Sequence, residues 1–247
     1  MPESIPVEEL IRRERETGTY VEDLWVGAYW GHRPEPPEAI ASRMLRTVHG
    51  LEPLDQILQH WHVVEPPGEM PTDVTDLASI VRTGVNRRDS DGSVIEELGW
   101  RVTMFSGDPA PNAPGTRLDT HAGSTSARVG NAVVLSPETP AEHGVFRRLG
   151  DKLVSVLAVA WEPDWALFTS GTIFDEVGTA KRYPGAVSWF ADSLGQLPND
   201  LGRSRTEHVA GGTIIDLVRD GQLPATDEIV ALRDRLVAAG ILGESRR

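Results

Sequence analysis

"WRVTMFSGDPAPNAPGTRLDTHAG", residues 100–123, is where the chain changes its period and decides its fold. Before it, apolar residues recur at helical spacing. From Trp100 the spacing becomes two, with Trp100, Val102 and Met104 alternating with Arg101, Thr103 and Phe105. That alternation puts successive side chains on opposite faces of a strand. A turn-forming run, GDPAPNAPG (107–115), separates this strand from RLDTHAG (117–123), and ARVGNAVVLS (127–136) supplies a third strand. Asp91-Gly92 marks another turn upstream;.

Upstream, EDLWVGAYW (22–30) reads as a strand ending at Gly31, with Trp25 and Trp30 expected in the core;. After Pro36-Pro37 a helix is predicted from Ile40, Met44, Leu45 and Val48; Glu38 suits its first turn, and Gly50 reads as a left-handed stop;. A second helix is expected after Pro53, where Leu54, Ile57, Leu58 and Trp61 share one face before VVEPPGEMP breaks it;. A third runs from about Thr72 through Val74, Leu77, Ala78 and Val81 to Gly84. At the front, residues 6–17 read as a surface helix begun by Pro6, pairing Glu8 with Arg12 and Glu9 with Arg13;. Residues 1–20 are thus expected to be a helical extension and 21–247 a single domain.

Downstream, Thr139 and Glu142 bracket Pro140 as a capping box;. The helix they open, 140–160, carries one apolar stripe through Val145, Phe146, Leu149, Leu153, Val156, Leu157 and Ala160, as a central core helix should;. WALFTS (165–170) and AVSWFADSL (186–194) return to strand. RTEHVAGGTIIDLV (205–218) reads as a hairpin with Gly211-Gly212 as its turn;. Thr226 is expected to cap a last helix bearing Ile229, Leu232, Leu236 and Val237, stopped at Gly240. Helices followed by strands, without strict βαβ alternation, point to an α+β fold with a mostly antiparallel sheet packed by several helices.

The 247 residues, 39% of them hydrophobic, suit one large domain;. Zero cysteines remove disulfides and thiolate sites;. No run of about 18 uncharged apolar residues occurs, and Met1-Pro2-Glu3-Ser4 is acidic, so neither a membrane span nor a secretory signal is expected and a cytoplasmic location is;. The net charge of -13 is concentrated early: residues 1–100 carry nine arginines against nineteen acids. Such a balance argues against direct nucleic-acid binding, which depends on cations displacing counterions, and favours a basic partner.

Motifs for chemistry are absent. His60 and His62 flank Trp61, but on a helix they would diverge by about 200°, and no third ligand is identifiable;. DSDG (89–92) lacks the calcium-loop spacing and reads as a turn;. Glu96-Glu97 and the pair Glu162 and Asp164 read as structural or solvent-facing carboxylates;. No nucleophile elbow, Walker loop, dinucleotide glycine loop or H-E-x-x-H occurs, and Lys152 and Lys181 are the only lysines;. No catalytic, cofactor-binding or metal residue is assigned, and the reading is of a protein that works through its surface.

AYWGHRPE (28–35) resembles the amino-terminal signature of the immunity protein 52 family, with Tyr29, Trp30, Gly31, Arg33 and Glu35 in the matching places. GVNRRD (84–89), ELGW (97–100), Asn131 before an apolar strand, WEPDWA (161–166) and AAGIL (238–242) follow in the family's order. Prolines at 34, 36 and 37 depart from the pattern, and 62–72 and 171–184 match loosely. The resemblance implies a single-domain bacterial α+β protein, encoded beside a polymorphic toxin with a restriction-endonuclease-like nuclease domain, that protects its cell by binding that toxin. It implies no catalytic residue and no cofactor.

The charge then suggests that an acidic face on residues 1–100 occludes the toxin's basic cleft, with Trp30, Arg33, Glu35, Asp89 and Asp91 as candidate contacts;. The competing reading is that Trp30 and Arg33 pack the corner between strand and helix, Arg33 pairing with Glu35 or Glu38. Rival classes are a small cytosolic hydrolase, which needs His60, His62 or His121 to converge with a carboxylate in a deep pocket, and a scaffold subunit with a self-complementary apolar patch. The residues leave open which toxin is cognate, whether it is plugged or allosterically inhibited, and the oligomeric state.

Overall fold

The computed structural model describes residues 23–107, 114–178 and 182–242. The expected helix at 6–17, and with it the helical extension over 1–20, lies outside the described residues. Among those described, ten strands form one antiparallel sheet. They are β1 (Leu24–Trp30), β2 (Trp61–Val63), β3 (Gly68–Glu69), β4 (Trp100–Gly107), β5 (Gly115–Ala122), β6 (Asn131–Pro137), β7 (Trp165–Ser170), β8 (Val187–Ala191), β9 (Arg205–Val209) and β10 (Gly212–Asp216). Their order across the sheet is β3-β2-β4-β5-β6-β1-β7-β8-β10-β9. The α+β class expected from the order of periods is the class observed.

The first strand in the chain is central in space: Ala28 of β1 faces Val133 of β6 on one side and Ala166 of β7 on the other. Its alternation assigns the two faces of the sheet. Leu24, Val26, Ala28 and Trp30 turn to the side covered by α1 (Pro37–Leu51) and α3 (His143–Trp161). There α2 (Val74–Thr83) packs on α1. Trp25, on the opposite face, meets Phe174 of α4 (Gly171–Val177) edge-on at 5.9 Å, and α4 in turn packs on α5 (Thr226–Ala238). None of these helices is long and apolar enough to cross a membrane.

The central-helix reading of α3 holds. Its capping box forms around a short 3-10 turn, Thr139 Oγ1 accepting from the Ala141 N–H and Glu142 Oε2 from the Thr139 N–H at 2.8 Å. Phe146, Leu149, Leu153, Leu157 and Ala160 are buried in its stripe. Other local expectations are corrected. The helix over 54–61 is a single 3-10 turn, Gln56–Leu58, followed by the short strand β2, which lies between β3 and β4. Trp61 is still buried, but as an inward residue of β2, because a two-residue alternation and a helical step both bring it to the core;.

Gly50 does not end α1. It lies inside the helix, where an added Cβ would sit 2.9 Å from Val156 Cγ1 of α3, so its smallness sets how closely the two helices approach. The hairpin turn is Ala210-Gly211, with positive φ of 52° and 73°, because Val209 already pairs with Gly212. Gly212 is a strand residue, and a Cβ there would lie 2.4 Å from the Trp189 indole. Thr226 is the first residue of α5 and makes no capping bond; Ala225 occupies the cap. Gly240 does stop that helix, at φ 76°, with the Ile241 N–H reaching back to the Leu236 carbonyl;.

Candidate functional site

Where β1 runs into α1 the chain forms a knot of aromatic and charged side chains. Trp30 is 4% exposed and stacks on Trp161, the last residue of α3, at 5.4 Å between centroids. The Arg33 guanidinium lies over the Trp30 ring at 4.5 Å. The same guanidinium donates to the carbonyls of Trp161 (2.9 Å) and Glu162 (3.0 Å) and to Glu35 Oε2 (3.1 Å). Arg43, two turns into α1, donates to Glu35 Oε1 (2.7 Å), the Ala160 carbonyl (2.9 Å) and Glu162 Oε2 (3.0 Å).

Its logic is electrostatic. The last carbonyls of a helix have no partner within it and carry the negative end of its dipole. Here two arginines cap the carbonyls of residues 160–162, and the buried Glu35 carboxylate balances them. Glu162 can turn left-handed, φ 47°, because its carbonyl and carboxylate are both held. Burial lowers the Arg33 pKa below its ordinary value, and Arg43 adds to this, against the opposing pull of Glu35. Trp161 completes the knot, its indole N–H donating to Thr47 Oγ1 on α1 at 2.8 Å.

Asn131, 1% exposed, ties this knot to the loops beside it. Its Nδ2 donates to the Gly31 carbonyl at 2.6 Å, and its Oδ1 accepts from the Ser124 N–H at 2.7 Å. The Gly31 N–H donates to Asp164 Oδ2 (3.1 Å) and the Arg33 N–H to the Ser124 carbonyl (3.2 Å). The N–H groups of Thr125 and Ser126 both reach the Glu97 carbonyl, which carries the tie across to the loop before β4. Residues far apart in sequence, around 29–35, 97–100, 131 and 161–165, therefore meet at one rim of the sheet.

Two hollows flank the knot. The first has a volume of about 840 Å³, with Pro34–Pro36 on one wall and Val94–Glu97 with Arg88 on the other. Trp100 lies against Gly123, whose φ is 78° and where a Cβ would come within 2.5 Å of the indole. The acidic wall continues into the turn bearing Asp89 and Asp91, both exposed. Asp91 Oδ1 accepts from the Ser93 hydroxyl (2.7 Å) and N–H (3.0 Å), which lowers its pKa below the usual carboxylate value. Asn86 steadies the base of this loop by donating to the carbonyls of Leu98 and Gly99. The second hollow, about 680 Å³, opens on the far side of Arg33 around Tyr29, Trp30, Trp165, Arg128 and Arg182.

Of the five candidate contacts, the structure brings Trp30, Arg33 and Glu35 into direct contact inside the knot. Asp89 and Asp91 stand on the turn beyond the opposite wall of the first hollow. Arg43 and the packing role of Trp161 were missed: Arg43 lies eight residues beyond Glu35, a separation that carries no sequence signal, and Trp161 stood out only as the start of the family-like stretch WEPDWA, just past the expected end of the helix. Trp100 read as a strand residue and as the end of the family-like stretch ELGW, with no role at a site.

The histidines do not converge. His62 pairs across the sheet with Phe105, His121 with Arg101 four residues along the same strand, and His121 Nε2 bonds to the Leu98 carbonyl. Four residues of strand span about 13 Å. Among the described residues no three His, Asp or Glu side chains group as a metal would require. Asp164 and Glu162 are engaged by Gly31 and Arg43 as structural carboxylates.

Comparison with known families matches the model described as Immunity protein 52 to residues 22–244, nearly the whole chain. No curated protein matches the chain. Among solved structures, Pseudomonas aeruginosa T6SS protein PA0821 is 13% identical, the match covering 92% of this chain and 77% of that one at a TM-score of 0.49.

Proposed function

Because the chain belongs to the immunity protein 52 family, we propose that it neutralises a cognate bacterial toxin by laying the knot's rim over that toxin's working surface, and that the toxin is a nuclease with a basic cleft. The observation that carries this reading is the first hollow itself. Exposed Asp89, Asp91, Glu96 and Glu97 stand on one side of it, and the half-buried indole of Trp100 is available inside. A nuclease must present cations to phosphate. An acidic wall is drawn to such a cleft by long-range attraction that raises the association rate. A partly buried tryptophan in a hollow supplies the kind of anchor that slows dissociation.

In this account Trp30, Arg33 and Glu35 contribute shape. They hold the two walls in the geometry the toxin meets, which lowers the ordering cost of association. Asp89 and Asp91 contribute field. The proposed place of action is the cytoplasm, where a nuclease would reach nucleic acid. The experiment is to express the toxin domain encoded beside this gene and measure nuclease activity with and without this protein. A stoichiometric loss of activity with a stable complex supports the reading. Full nuclease activity in the presence of excess protein contradicts it.

A further inference from the structure

The second hollow differs in charge from the rest of this face. Arg128, exposed at its edge, and Arg182 line it together with His32. Among the described residues that line it the one carboxylate is Asp164, which accepts from the Gly31 N–H, and Arg182 donates to the neutral Ile241 carbonyl at 2.8 Å. In a chain of net charge -13 this is a local cationic island. Its floor is aromatic, Tyr29 stacking on Trp165 at 4.9 Å between centroids. The indole N–H of Trp165, on the same face as Tyr29, has no hydrogen-bond partner among the described residues, whereas the Trp30 ring turns to the other face of the sheet against Trp161. Buried donors of this kind are nearly always satisfied in native proteins, so the Trp165 donor at this hollow is informative.

The two hollows are also neighbours. The first is lined by Pro34, Glu35 and Thr125, the second by Gly31, His32 and Ser126, so only Arg33 and the turn of the Ser124 loop stand between them. A partner burying the roughly 800 Å² per side of an ordinary interface would cover both.

We propose that the second hollow receives an acidic segment of the same toxin, a carboxylate side chain entering between Arg128 and Arg182 over the Tyr29–Trp165 stack. This rests on the reading of the first hollow as the toxin-binding surface and adds to it. A wholly acidic face would attract any basic protein. A basic island beside an acidic wall demands a partner with the opposite pattern, and so fixes the register and rejects non-cognate toxins.

The test measures Kd for the neighbouring-gene toxin with four proteins: wild type, Arg128→Glu, Ala127→Trp and the double variant Glu96→Lys/Glu97→Lys. Arg128 and Ala127 are exposed loop residues. Thermal melting confirms that each variant is folded. Arg128→Glu should weaken binding on the order of tenfold, and Ala127→Trp, which fills the hollow, at least as much. If both bind within twofold of wild type, or Arg128→Glu binds tighter, while the double variant loses affinity, the second-hollow proposal is overturned and the acidic-wall reading stands. If the double variant also binds like wild type, or wild type ignores the toxin, the underlying reading fails with it.

Discussion

Replacing Glu35 by alanine separates the architectural role of the knot from a direct contact with toxin. The carboxylate is buried and balances two guanidiniums, Arg33 at 3.1 Å and Arg43 at 2.7 Å. Removing one partner of a buried charge pair costs about 3–5 kcal/mol, because the charge left behind has lost its water and its counter-ion. Both arginines keep some compensation. Arg33 retains two carbonyls, and Arg43, whose side chain is 13% exposed, retains the Ala160 carbonyl and the solvent-screened Glu162, 64% exposed. The loss should therefore fall near the lower bound, about 3 kcal/mol. For a chain of this size each kcal/mol lowers Tm by about 2–4 °C, so Glu35→Ala should melt about 6–12 °C below wild type. Near-ultraviolet circular dichroism is the apt probe, because the Trp30–Trp161 stack lies within the knot and should lose its signal in the same transition. Measured well below that melting point, toxin affinity should fall only modestly, through the loosened walls, and by far less than when the Trp100 anchor is removed. A Tm within 2 °C of wild type together with lost affinity would refute the reasoning and make Glu35 a contact residue.

Four further outcomes follow from named contacts. Gly212→Ala should destabilise by about 2–3 kcal/mol through overpacking against Trp189, whereas Ala210→Gly, relieving φ 52°, should stabilise by about 0.5 kcal/mol; denaturant titration reads both;. For Asp119, burial pushes the carboxyl pKa up, but hydrogen bonds from Arg117 and Thr103 outweigh it and leave the pKa below the ordinary value. Its contribution is present above the unfolded pKa and lost as pH falls through the folded one, so Asp119→Asn should flatten the decline of stability with acid; an unchanged slope would remove this assignment. Trp100→Ala should weaken toxin binding by about 2 kcal/mol, roughly thirtyfold in Kd by calorimetry, through faster dissociation.

What could be read in the chain follows the range of the physics involved. The change of period at Trp100 exposed the antiparallel half of the sheet, because alternation is a property of neighbours;. Thr139 and Glu142 announced α3 for the same reason. The segment at 54–61 misled because four apolar residues at helical spacing also suit a 3-10 turn followed by a two-residue alternation. Glycines were ambiguous in another way: Gly50 and Gly212 are small to admit Val156 and Trp189, partners distant in sequence, and neither adopts a left-handed angle. The helix α4 went unread because its seven residues are fixed by tertiary packing of Ile173, Phe174 and Val177 more than by any pattern. At the site, the knot's own sequence was visible, and so was the choice between packing and recognition for Arg33. That Arg43, Asn131 and Trp161 would close around it required the fold.

The decisive titration is of the neighbouring toxin's nuclease activity against increasing wild-type protein and against the Glu96→Lys/Glu97→Lys variant. Inhibition should be complete at one equivalent of wild type and reached by the variant only at large excess, with the variant's melting temperature unchanged. Equal potency of the two proteins, or a toxin left active by wild type, would contradict neutralisation by the acidic wall.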